Sequence, residues 1–150
     1  MSNILVQNIK HTNGTTSMVV DSSGHVATDT IKGNSTAGSI SVVGEGNSTT
    51  TNLQQGLAKV WAHSAENGAS LDDNFNASSI TDLATGKQQI DIANNMSNAN
   101  YSVLCSYIDN QTDLTHWCDG LTTAKWQQNA YHSGAYIDRA FASVAFGDLA

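Results

Sequence analysis

The chain of 150 residues contains no proline and only two cysteines. Without proline, glycine and asparagine turns must set the ends of its strands. Cys105 and Cys118 are too few for a disulfide framework. With 12 residues between them, a bridge forms only if the fold brings them together, and buried free thiols are the expectation. Basic side chains are scarce as well: 6 Lys and Arg stand against 13 Asp and Glu, for a formal net charge of −7. A nucleic-acid binder needs clustered Lys and Arg to displace counterions, so no nucleic-acid partner is expected. Apolar runs are only a few residues long, Met18-Val19-Val20 among them, and no membrane insertion is expected. Met1-Ser2-Asn3 lacks the basic and apolar stretches of a secretory signal peptide.

Aromatic residues are missing from the first 60 positions. All ten follow: Trp61, Phe75, Tyr101, Tyr107, Trp117, Trp126, Tyr131, Tyr136, Phe141 and Phe146. Aromatic side chains dominate small cores, and a segment of about 50 residues is marginal even with good packing. Residues 1–52 therefore read as an arm that buries its aliphatic side chains against neighbouring chains, and residues 53–150 as a compact C-terminal module. Candidate residues for attachment or trimer contact in the arm are Ile4, Val6, Ile9, Met18, Val20 and Val26.

What is abundant is small and polar. Ser, Thr and Asn number 17, 15 and 15, yet the apolar residues between them are patterned as in folded β proteins. Asn13-Gly14 and Glu66-Asn67-Gly68-Ala69 are hairpin signals, because Asn and Gly tolerate positive φ. In the arm, strands are expected around Ile4–Ile9, Ser17–Val20, His25–Thr28 and Ile40–Val43, with Asp21-Ser22-Ser23-Gly24 as a turn. Asn47-Ser48-Thr49-Thr50-Thr51-Asn52 reads as a linker. A short helix or turn to Gly56 then precedes a strand through Trp61, with Leu57, Lys59, Trp61 and His63 on one face. Further strands are expected at Ser78–Leu83, Gln89–Ala93, Tyr101–Ile108, Ala124–Gln128 and Ala135–Phe146, with a turn at Thr85-Gly86-Lys87 and a loop over Asn94–Asn100. Short strands at this spacing predict an all-β fold: an arm of β-ribbons followed by a small β-sandwich of jelly-roll-like type.

Reaction chemistry finds little support. There is no Gly-x-Ser-x-Gly elbow, and Cys105 sits inside the apolar run Val103-Leu104-Cys105. The stretch Asp109–Gly120 gathers three carboxylates, His116 and Cys118. It fails the calcium-loop pattern, having Leu114 where Gly is needed and Gly120 where Glu is needed. No enzymatic activity, metal or other cofactor is expected; one His per chain on a threefold axis, from among His11, His25, His63, His116 and His132, is the single route to a metal. Trp117, Trp126, Tyr131, His132 and Tyr136 lie among Gln, Asn, Thr and Gly. They either fill the core or form a surface on which sugar rings stack and hydroxyls find partners.

Two stretches resemble a known group. Residues 8–26, Asn-Ile-Lys-His-Thr-Asn-Gly-Thr-Thr-Ser-Met-Val-Val-Asp-Ser-Ser-Gly-His-Val, resemble the N-terminal segment of virion-associated proteins of marine tailed bacteriophages. Ala58-Lys59-Val60-Trp61, Asp73-Asn74-Phe75-Asn76-Ala77-Ser78-Ser79-Ile80-Thr81-Asp82 and Asn98-Ala99-Asn100-Tyr101-Ser102-Val103 are similar to a small β-rich module of phage tail fibres, as is Val144-Ala145-Phe146-Gly147-Asp148. The chain departs from that module at Leu71-Asp72-Asp73, where a more basic step is usual, and at Asn94-Asn95-Met96-Ser97. The resemblance implies a non-enzymatic structural protein of the virion, assembled in the host cytoplasm: a homotrimeric short fibre on the particle surface, tail-associated and involved in host attachment. Its implied partners are further copies of itself, other virion proteins of tail or capsid, and a host surface glycan. A capsid decoration (head-fibre or cement) protein and a carbohydrate-binding β-sandwich module are the alternatives.

Overall fold

The computed structural model describes residues 8–10, 16–20, 22–28, 30–32, 40–43, 49–108 and 114–150. The chain is all-β, with every strand pair antiparallel and no sheet closed among the described residues. It divides into two units, Met1–Ile40 and Ser41–Ala150.

In the first unit, β1 (Asn8–Lys10), β2 (Thr16–Val20) and β3 (Val26–Ala27) form a three-stranded sheet in that order. Ile9 stands opposite Met18, and Val20 opposite Val26. The arm candidates Ile9, Met18, Val20 and Val26 thus share one pairing register, while Ile4, Val6 and the Asn13-Gly14 turn lie outside the described residues. Gly24, at φ +83°, supplies the left-handed residue that turns β2 into β3.

The second unit opens with a ribbon of β4 (Ser41–Val43) and β5 (Thr50–Asn52), with Val42 opposite Thr51. The polar stretch expected as a linker is therefore half strand: Thr50 and Thr51 are β-branched and extend readily once another strand stands beside them. The side chain of Asn52 caps the one-turn helix α1 (Leu53–Gly56) by accepting from the Gln55 N–H at 3.1 Å.

Two larger sheets follow. One has four strands in the order β10 (Ser102–Tyr107), β14 (Phe141–Phe146), β6 (Val60–Ser64), β7 (Leu71–Phe75). The other runs β11 (Leu114–Thr122), β12 (Lys125–His132), β9 (Lys87–Ile92), β8 (Ala77–Ala84), with β13 (Ala135–Tyr136) beside β12. Alternation decides the buried faces. Val60 and Ala62 of β6 and Ala145 of β14 meet Ile90 and Ile92 of β9 and Trp126 of β12 in one apolar core, with Met96 and Tyr101. On β6 the inward set is Val60, Ala62 and Ser64, so Trp61 and His63 look outward.

One end of the inward faces is polar. Ser64 Oγ donates to Gln88 Oε1 at 2.8 Å, and Gln128 Nε2 donates to Ser64 Oγ at 3.1 Å and to Gln88 Oε1 at 3.0 Å. The other amide of that group, Gln88 Nε2, donates to the carbonyls of Ala65, Glu66 and Arg139, each at 3.0 Å. All three side chains are buried. The chain passes from the four-stranded to the five-stranded sheet at Asn76, which has φ 59°. Its side chain accepts from Asn94 N at 2.8 Å and donates to the carbonyls of Lys59 and Asn94.

Three more strands depart from the sequence expectation, and of these β7 (Leu71–Phe75) lies where none was expected. Leu114–Thr122 forms the nine-residue β11, although its charged and polar residues hide any alternation; Asp109 and Asp113 of the calcium-like stretch lie outside the described residues. The single strand expected over Ala135–Phe146 is two, separated by residues 137–140. Between them Asp138 Oδ1 accepts from the N–H of Gly86 at 2.6 Å.

Candidate functional site

The two outer sheet faces and one pair of thiols carry the chemistry. On the five-stranded sheet, Trp117 of β11 stands opposite Asn129 of β12, which stands opposite Lys87 of β9. Side chains directly opposite one another share a face, so these three lie on the outer side of the sheet, where Asn129 is itself covered and 1% exposed. Tyr131 pairs with Tyr136 of β13 on the same side. The rings gather: Tyr131 meets Tyr136 edge-on at 5.3 Å, and Trp117 lies 6.0 Å from Tyr136. The Lys87 ammonium sits 4.5 Å from the Tyr136 ring centre, a cation–π contact. The Trp117 indole N–H donates to Asp119 at 2.9 Å, which fixes the ring's tilt. The hairpin carrying Tyr136 turns on Ser133 and Gly134, both at positive φ, as a tight two-residue turn requires.

Of the five residues expected at a contact surface, three are brought together: Trp117, Tyr131 and Tyr136. His132 is adjacent, its Nε2 3.3 Å from Ser133 Oγ. Trp126 is a correction. It occupies an inward position of β12 and is 0% exposed, packed between the sheets because its neighbours in register point it at the core. It can take no part in an outer surface.

The outer face of the four-stranded sheet holds what sequence reasoning missed. Leu104 of β10 stands opposite Val144 of β14, Val144 opposite Trp61 of β6, and Trp61 opposite Phe75 of β7. Four apolar side chains thus form one row across all four strands. Leu104 is 60% exposed, Phe75 54% and Trp61 36%. The alternation Val-Trp-Ala-His-Ser in β6 was visible, but only the pairing registers line these four residues up.

Cys105 and Cys118 are free, and neither is fully buried, which corrects the expectation of buried thiols. They do meet. β10 and β11 are the edge strands on the same side of the two sheets, and Tyr107 packs edge-on against His116 at 5.3 Å. Two positions before Tyr107 and two after His116, the thiols of Cys105 and Cys118 hydrogen-bond to each other. That bond holds the Cys105 thiol below its ordinary pKa, since it stabilises the thiolate. The same bond, then burial, pushes the Cys118 thiol up. Tyr101, buried nearby, donates its hydroxyl between the carbonyls of Thr122 and Lys125, at 2.9 and 2.8 Å. Burial raises its pKa to about 12. Among the described residues, no three His, Cys, Asp or Glu side chains gather as metal ligands.

Comparison with protein-family models, curated proteins and solved structures gives no match.

Proposed function

We propose that this chain is a non-enzymatic structural subunit of a bacteriophage virion, a homotrimeric short fibre on the particle surface and tail-associated. Residues 1–52 serve as its attachment and assembly arm. Residues 53–150 form its outward knob, a small jelly-roll-like β-sandwich. The observation that carries this reading is the exposure of the arm's aliphatic side chains. Val26 is 58% exposed, Ile31 65%, Val42 50% and Val43 53%. Two- and three-stranded ribbons with apolar residues in water are marginal alone and gain stability when neighbouring chains cover them. The acidic, charge-poor composition suits a subunit that meets protein rather than nucleic acid.

Mass measurement of the purified chain, followed by reconstruction of the particle, tests the reading. A trimer located at the tail is expected. Copies spread over the capsid in the hundreds would replace the tail position with head decoration. A monomer that keeps a protease-resistant arm would overturn the assembly reading altogether.

A second reading is favoured by a separate observation, the cluster of Trp117, Tyr131 and Tyr136 beside Lys87 and Asp119. The exposed Tyr136 ring and the half-buried Trp117 and Tyr131 beside an ammonium and a carboxylate suit a glycan, so the knob binds a host surface sugar. Loss of glycan-array binding in Tyr136→Ala and Trp117→Ala, with unchanged secondary structure, is the expected result. Binding unaffected by both substitutions would remove this reading.

A further inference from the structure

The geometry points to Cys105 and Cys118 as a pair of thiols that closes to a disulfide, joining edge strands β10 and β11 and so tying the two sheets covalently. The oxidant is a small disulfide of the glutathione type. One chain suffices for the bridge, whatever the chain assembles into.

Two strands on different sheets bring the thiols together. On β10, Cys105 and Tyr107 stand opposite Ser143 and Phe141 of β14, both buried. On β11, His116 and Cys118 stand opposite Ala130 and Gln128 of β12, also buried. Residues directly opposite share a face, so each strand presents its cysteine and the neighbouring ring to the space between the sheets. Tyr107 and His116 meet there, with ring centres 5.3 Å apart. One step further along the same faces, the two thiols hydrogen-bond. Both strands are edges, paired on one side only, so a small shift brings the sulfurs together without breaking a ladder. Neither cysteine is fully buried, which leaves a path for a small oxidant.

The chemistry runs in two exchanges. Cys105 ionises first, because the Cys118 thiol donates to it, and its Sγ attacks one sulfur of oxidised glutathione. A bond from Cys105 to that sulfur forms, the glutathione disulfide breaks, and one glutathione leaves as its thiolate. Cys105 then carries no charge, and the bond that kept the proton on Cys118 is gone. Cys118 releases its proton to solvent, and its Sγ attacks Cys105 Sγ. The bond from Cys105 to glutathione breaks, and the second glutathione leaves. Two cysteine thiols are thereby oxidised by two electrons, one glutathione disulfide is reduced, and the two protons end on the two glutathione thiols. With 12 residues between the cysteines, the bridge constrains the unfolded chain more than the folded one.

The test equilibrates the reduced full chain, folded and in concentrated urea, with reduced and oxidised glutathione at about 1 mM and 0.1 mM. After acid quenching, most of the folded chain is expected to have lost two hydrogens by intact mass. Its ratio of bridged to reduced protein should exceed that in urea at least tenfold. By linkage, that preference raises the thermal midpoint of the bridged chain by about 3–5 °C. Cleavage before Asp109 and Asp113 separates the two cysteines, so non-reduced mapping should recover their peptides joined within one chain. A folded chain that stays reduced, or that stops at the mixed disulfide with glutathione, overturns the inference. So does a bridge between two chains, or a bridged ratio no greater than in urea, since the fold would then not be what brings the thiols together.

Discussion

Gln128 of β12 donates its side-chain amide to the hydroxyl of Ser64 on β6, 3.1 Å away and on the opposite sheet. The same hydroxyl accepts from the buried N–H of Phe141 at 3.2 Å. One serine oxygen therefore ties both sheets together. Ser64→Ala leaves the Phe141 N–H without that acceptor and removes one of the two acceptors of the Gln128 amide. Each buried unsatisfied donor costs about 1–3 kcal/mol, so a loss of about 2 kcal/mol is expected. Gln128→Leu should cost less, because it also removes Gln128 Oε1, a buried oxygen with no partner among the described residues. Urea midpoints of the two variants, at equal slope, check the order.

Asn76 combines a left-handed backbone with bonds to Lys59 and Asn94. Asn76→Ala meets the cost of positive φ, about 1–2 kcal/mol, and loses those bonds too. A destabilisation of about 2–3 kcal/mol is expected. Asn76→Gly restores the backbone freedom alone and should recover about half of it. Thermal denaturation of both variants separates the two contributions.

Tyr101 gives the fold an alkaline limit. Its pKa is about 12 when folded against 10.0 for the free side chain. The unfolded chain therefore releases the tyrosine proton first as pH rises. Stability from this group is complete below pH 10 and is lost as pH climbs towards 12. The expected fall is on the order of 1 kcal/mol. Tyr101→Phe should be less stable at pH 7 but show a shallower decline between pH 10 and 12, read from unfolding midpoints against pH.

The two thiols should react in order. Cys105, whose thiolate accepts the hydrogen bond from Cys118, ionises first, and the thiolate is the nucleophile. Iodoacetamide at mildly alkaline pH is expected to label Cys105 several-fold faster than Cys118, as peptide mapping by mass spectrometry would show. Cys118→Ala removes the donor and should slow labelling of Cys105; equal rates at both sites would contradict the assignment.

Much of this architecture was legible in the chain itself. Val60 to Ser64 alternates visibly, Asn67-Gly68 and Thr85-Gly86 announce turns, and the lack of aromatics before Trp61 marks where a core cannot form. Local steric rules act on neighbours in sequence, so such features need no tertiary context. The strand at Leu114–Thr122 was not legible, because its pairing with β12 overrides a mixed pattern of charge and polarity.

Which residues meet was decided elsewhere. A strand's two faces look equivalent in sequence until its partners turn one inward. That choice buries Trp126, a candidate for the surface, and gathers Trp117, Tyr131 and Tyr136 outside. Leu104, Val144, Trp61 and Phe75 come from four separate segments, and only register makes them a row. Cys105 and Cys118 meet because two edge strands lie on the same side of the two sheets. The sequence by itself determined that the chain would be strands, turns and a core built from its last 90 or so residues. The tertiary structure alone decided which side chains became its surfaces, because long-range pairing, not local preference, assigns each face.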